Sequence, residues 1–207
     1  MTLMPLDNVI NKLLKCNDTL YLPWDMDFIE KISGKIGKDI LEACIKQQNE
    51  LPGIIIGMGK GGEYPTELIR KELGINDKLF LTVSHSGIGE QKKVEIAQDL
   101  EGSVANKYVL LVDDVANGGR TITFVKKYLE GEGKGARGVI TVTLACKQKK
   151  VFKPDFYGAE TSGWIIFPWE EEIKELITES YKKGNFDTIR KIFTKEEIES
   201  AIGKDKI

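Results

Sequence analysis

Val109–Thr121 reads VLLVDDVANGGRT: four aliphatic residues in a row, two aspartates, then a turn holding Gly118 and Gly119 ahead of a helical pattern. A continuous aliphatic run is the mark of a strand buried on both faces, and such strands belong to parallel sheets. Open parallel sheets bind ligands beyond the carboxyl ends of their strands, so Asp113 and Asp114 are delivered to the edge where a ligand would lie. Two carboxylates there suit hydroxyls or a divalent cation, while glycines at a helix start offer backbone N–H groups to a phosphate. A sugar phosphate satisfies both halves. The plainer alternative is that the two acids only cap the turn that follows them.

The neighbouring segments supply the rest of such a sheet. Upstream, LPGIIIGMG (51–59) is a short β-branched run closed by glycines, and YPTELIRKELG (64–74) predicts a helix with Pro65 near its first turn and Gly74 past its end. KLFLTVS (78–84) and ARGVITVTLAC (136–146) are further apolar strands, and TITFVKKYLEG (121–131) is a helix between the last two strands. From Asp25 to Gln48, Ile29, Ile32, Ile36 and Ile40 recur at three- or four-residue steps, which predicts an amphipathic helix. Strands alternating with helices imply an α/β fold with a parallel sheet covered on both faces. GWIIFPWE (163–170) is a last short apolar run. After it, EEEIKELITESYKKG, NFDTIRKIF and TKEEIESAI predict three short helices, the third capped by Thr194 with Glu197 three residues on.

Composition narrows the class. The chain has 207 residues, 41% of them hydrophobic and 30% charged, which is ordinary for a globular protein and excludes a fibrous repeat or a disulfide-built miniprotein. Thirty basic against thirty-two acidic side chains disfavour a nucleic-acid binder. Cys16, Cys44 and Cys146 are widely and irregularly spaced, as expected of buried thiols rather than disulfides or a zinc site. No apolar stretch approaches the roughly 20 residues that span a bilayer, and the start carries no secretory pattern, so a reducing cytoplasm is the expected home.

Two further strand endings carry chemistry. GIIIGMGKGGEYP (53–65) places Lys60 beside Gly61 and Gly62 before a helix; Gly57, Gly59 and Gly62 also satisfy GxGxxG, the dinucleotide fingerprint. That fingerprint needs an acid at the end of the next strand, where this chain has Val83, Ser84 and His85. SHSGIGEQKK (84–93) reads on composition as a polar surface loop. His85, the single histidine, has no partner with which to make a metal site.

The string from Val109 to Thr121 resembles the phosphoribosyl pyrophosphate (PRPP) motif of type I phosphoribosyltransferases, a strand, two acids and a loop commonly ending DTGKT. The resemblance runs from about Trp24 to Glu171 and implies the family fold: a mainly parallel five-stranded sheet flanked by helices, with a hood. It further implies a core over residues 1–168 that includes the hood, and a C-terminal three-helix appendage over 169–207 that the family pattern does not share. It also assigns roles. Lys60, Gly61 and Gly62 correspond to the pyrophosphate loop; Asp113 and Asp114 to ribose and Mg²⁺ binding; Ala116, Asn117, Gly118, Gly119, Arg120 and Thr121 to the 5′-phosphate loop. Ser84, His85, Ser86 and Gly87 fall where a lid closes over PRPP. Lys147, Trp164 and Ile165 resemble the base-binding hood of the 6-oxopurine branch, although by pattern alone Trp164 and Ile165 are simply part of an apolar strand. The implied partners are PRPP, a purine base, a nucleoside monophosphate and pyrophosphate, with Mg²⁺ as cofactor and a homodimer as assembly.

Two residues depart from that pattern. Asn117 stands where the 6-oxopurine enzymes carry an aspartate that accepts from nitrogen 7 of the base, and Gly118 replaces the threonine after it. An amide can donate where a carboxylate cannot, and adenine presents nitrogen 7 as a bare acceptor. The expectation is therefore adenine plus PRPP to AMP plus pyrophosphate, with a hypoxanthine, guanine or xanthine enzyme as the alternative. A third possibility, of another class, is a PRPP-sensing regulator without catalysis.

Overall fold

The computed structural model describes residues 14–16, 19–86, 93–131, 133–147, 152–169 and 172–204. In chain order the elements are β1 (Leu14–Cys16), β2 (Thr19–Pro23), α1 (Met26–Gln47), β3 (Ile54–Met58), α2 (Gly59–Leu73), β4 (Lys78–Ser86), β5 (Lys93–Gln98), β6 (Tyr108–Ala116), α3 (Arg120–Glu130), β7 (Gly138–Lys147), β8 (Phe156–Thr161), β9 (Trp164–Ile166), α4 (Glu172–Lys182), α5 (Phe186–Ile192) and α6 (Lys195–Ile202).

The main sheet has the order β5-β4-β3-β6-β7-β8. Its five strands from β4 to β8 are parallel, and β5 returns antiparallel along β4 at one edge. Ile54, Ile56 and Met58 of β3 and Val109 and Leu111 of β6 pack with Ile122, Val125 and Leu129 of α3. The alternate residues Ile55, Leu110 and Val112 are equally buried, so both faces of the sheet are covered, as their unbroken hydrophobicity requires. On the Ile55 face α2 comes close at Gly57, where a Cβ would meet the Thr66 hydroxyl at 2.8 Å. The expected stripe of α1 is buried at Ile29, Ile32, Ile36 and Ile40.

Several local expectations are corrected. The second helix begins at Gly59, which puts Pro65 inside it rather than near its first turn. Proline has no N–H to give the carbonyl of Gly61, so the helix forgoes that one bond. The polar connection expected from Ser84 starts later, because β4 continues through Ser86 and pairs with β5. Backbone pairing to β5 satisfies those N–H and C=O groups although the side chains are polar, and polar composition carries no sign of it. The segment Phe156–Thr161, passed over in the sequence, is the edge strand β8.

By contacts the chain divides into two compact units: Ile29–Thr161, and the described parts of Pro5–Phe28 with Ser162–Ile207. The boundary expected after Pro168 falls inside the second unit. There β9 pairs with β2 in a separate three-stranded sheet, β1-β2-β9, and Trp24 N–H donates to Ile166 O at 3.0 Å. Trp24 meets Phe28 and Phe167 edge to face, with ring centroids 4.9 and 5.6 Å apart. The three C-terminal helices form as expected and share a cluster of Ile177, Ile189, Phe193, Ile198 and Ile202. Thr194 and Glu197 make the expected capping box, the threonine hydroxyl accepting from Glu197 N–H at 3.2 Å.

Candidate active site

Strand β6 ends in a cleft of about 520 Å³ lined by Asp113, Asp114, Val115, Ala116, Asn117, Gly118, Gly119, Arg120, Thr121 and Ile122, together with Met58, Gly59, Val83 and His85. The cleft therefore gathers the expected acids, the turn after them and one of the expected lid residues. It lies beyond the carboxyl ends of β3 and β6, where α2 and α3 begin, and beside the last residues of β4.

The two acids differ. Asp113 Oδ1 accepts from the Asp114 N–H at 3.0 Å, and Asp114 Oδ1 accepts from the Val115 N–H at 2.6 Å. Burial pushes the Asp113 carboxyl well above the usual carboxylate range, the charge of Asp114 pushes it further, and the Asp114 N–H opposes both. Two carboxylates held this close favour a cation or hydroxyl donors between them. Gly61, at the start of α2, backs onto Asp114 so closely that a Cβ there would collide with the carboxylate. A Cβ at Gly62 would meet the Val112 carbonyl at 2.8 Å. Both glycines are thus required by the approach of the α2 start to the end of β6. Lys60 lies exposed in that first turn.

After β6 the chain turns at Asn117 and Gly118, both exposed, and enters α3 through Gly119. Gly119 is the N-cap of α3 in the left-handed region (φ 72°), with no side-chain cap on the helix and no acidic residue in its first turn. A helix start of this kind, without a side-chain cap among the described residues, suits an anion. His85 stands on the β4 face that also carries Leu81 and Val83, and it lines the cleft as a strand residue. Ser84 and Ser86 flank it on β4, and Gly87 lies outside the described residues.

Lys147 closes β7. Cys146 is in register with Ala116, so Lys147 and Asn117 leave adjacent strands at the same level. Burial pushes the Lys147 ammonium below its ordinary value. Trp164 and Ile165 belong to the other compact unit, where they open β9; Trp164 is 48% exposed and Ile165 is buried. Cys44 and Cys146 are buried, as expected, and burial pushes the Cys44 thiol up. Sequence reasoning missed Met58, Val83, Val115 and Ile122 as cleft residues, since apolar strand ends carry no local sign of lining a site. No described helix is long and apolar enough to cross a membrane.

Residues 26–176 match the phosphoribosyl transferase domain model. The hypoxanthine-guanine phosphoribosyltransferase of Lactococcus lactis is 26% identical over 156 residues, 74% of this chain and 78% of that protein. The xanthine-guanine enzyme of Idiomarina loihiensis is 27% identical over 119 residues, 56% of this chain and 70% of that one. Among solved structures, a purine phosphoribosyltransferase from Pyrococcus horikoshii superposes with a TM-score of 0.63 at 26% identity, covering 73% of this chain and 95% of its own. A xanthine-guanine-hypoxanthine enzyme from Helicobacter pylori, at 18% identity and TM-score 0.59, shares the fold. The chain belongs to the phosphoribosyltransferase family.

Proposed function

We propose that this phosphoribosyltransferase transfers the ribose 5-phosphate group of PRPP to a purine, with adenine preferred, giving AMP and pyrophosphate. A bond forms between nitrogen 9 of the base and the anomeric carbon, and the proton that nitrogen 9 carried is released to solvent. The bond from that carbon to the pyrophosphate oxygen breaks, and its electron pair leaves with pyrophosphate. Asp113 and Asp114 hold the ribose hydroxyls, the N–H groups at the start of α3 and the Thr121 hydroxyl hold the 5′-phosphate, and Lys60 faces the diphosphate. Fixing the remote phosphate positions the anomeric carbon for displacement. The carboxylate pair fits a Mg²⁺ ion: Asp113, raised by burial and by its neighbour, is the group a cation would relieve. When bound, that ion supplies positive charge against the leaving pyrophosphate. The named relatives act on purines, which supports the base class. A cytoplasmic homodimer completes the reading.

The choice of adenine is carried by one observation: Asn117, exposed on the cleft, offers an amide N–H where a carboxylate would only accept. Once a bound purine covers Asn117, a mismatched polar pair costs about 1–3 kcal/mol, which is roughly ten- to a hundredfold in selectivity. Lys147 favours the second reading, a 6-oxopurine substrate, since an ammonium donates to an oxo group and not to an amino group. The names of the relatives point the same way. Steady-state turnover with adenine, hypoxanthine, guanine and xanthine decides between them. The expected result is a kcat/KM for adenine about tenfold or more above the others; preference for hypoxanthine or guanine overturns the adenine assignment and leaves phosphoribosyl transfer in place.

A further inference from the structure

The two glycines of the phosphate turn sit in opposite surroundings. Around the position of a Cβ on Gly118 there is open space, with nothing within 4 Å. The same position on Gly119 is already filled by Phe152, whose Cβ, Cγ and Cδ1 are its three nearest atoms. Phe152 is 33 residues away in the chain and lies ahead of β8.

We infer that Phe152 is a positioning residue: it holds Gly119 in the left-handed conformation that aims the first N–H groups of α3 at the substrate's phosphate. The assignment rests on the phosphoribosyl-transfer reading of the cleft. Two adjacent glycines have more backbone freedom to lose than any other pair, and α3 has no side-chain cap to fix its start. Thr123 N–H, donating to Gly119 O at 3.0 Å, ties the turn to the helix from within. Phe152 supplies a restraint from outside, and it is itself held on two sides. Its ring packs against the core cluster that contains Ile122 and Val125 of α3. Three residues on, Asp155 Oδ2 accepts from both the N–H and the hydroxyl of Thr141 at 2.8 Å, and Asp155 N–H donates to that hydroxyl at 3.0 Å, which fastens the backbone after Phe152 to β7. A turn ordered before binding loses less freedom when the phosphate arrives.

The test compares wild type, Phe152→Ala and Phe152→Leu by titration calorimetry with AMP, PRPP and adenosine, alongside amide hydrogen exchange of the unliganded proteins. Faster exchange confined to residues 118–122 of Phe152→Ala is expected. With it should come about tenfold weaker AMP and PRPP binding, unchanged adenosine binding, and recovery in Phe152→Leu. A merely structural role would weaken all three ligands together and speed exchange across the core; that result, or unchanged AMP affinity in Phe152→Ala, overturns the assignment. If wild type itself takes up neither AMP nor PRPP, the phosphoribosyl-transfer reading falls and takes this assignment with it.

Discussion

The glycine loops after β3 and β6 look alike in sequence, each a glycine-rich turn between a buried parallel strand and a helix, yet their glycines answer to different neighbours. In the first, Gly61 and Gly62 are small because polar groups of β6 press on them: the Asp114 carboxylate on one and the Val112 carbonyl on the other. In the second, Gly119 is small because its backbone is left-handed and an aromatic ring covers it, while a Cβ on Gly118 would meet nothing within 4 Å. The first loop is shaped by closeness to the acids and the second by the direction of its N–H groups. Glycine content alone therefore says little about what a loop binds.

Substitutions can break this comparison, beginning with the acids that the first loop abuts. Asp113→Asn should lower kcat/KM by about 10²–10³, the scale seen when one group stabilising developing charge is removed. It should also stabilise the unliganded protein. The folded-state pKa of Asp113 is raised, so its ionisation opposes folding and stability falls as pH rises through that value. Without magnesium the variant should melt higher at neutral pH, with a flatter pH dependence of Tm; an unchanged or lower Tm would contradict the electrostatic account of the pair.

Gly61→Ala comes next. The added methyl meets the flexible end of Asp114, so the fold should survive while the carboxylate moves. A shift of about 1 Å at such a group costs about a hundredfold in kcat/KM, and a variant as active as wild type would show that Asp114 has freedom to spare. Gly119→Ala should cost about 1–2 kcal/mol of stability from the left-handed backbone alone, plus displacement of Phe152, and should raise KM for PRPP more than KM for the purine. Urea unfolding and initial rates check both halves. Gly118→Ala, with open space and no positive φ, should stay within about 0.5 kcal/mol of wild type. If the two alanine variants of the second loop behave alike, the contrast between its glycines is wrong.

The parts of the molecule legible in sequence are those whose pattern is local. Unbroken aliphatic runs at Ile54–Ile56 and Val109–Val112 place the central strands and hence the site, because only a strand covered on both faces tolerates them. Thr194 and Glu197 announce the last helix by capping chemistry three residues apart. The edge strands β5 and β8 are polar or mixed, so their strand character comes from backbone pairing that composition does not record. Phe152 escapes for a related reason: its contact with Gly119 joins distant segments, and an apolar residue beside a lysine-rich stretch carries no sign of it. Asn117 was legible as a departure from a motif, although what it selects is a matter for measurement.

That measurement also tests the central claim. Purified protein with PRPP, Mg²⁺ and adenine, followed for pyrophosphate and nucleotide together, should release one of each per turnover and lose both when Asp113 and Asp114 are replaced by asparagine. Folded protein that yields neither with adenine, hypoxanthine, guanine or xanthine would contradict the account.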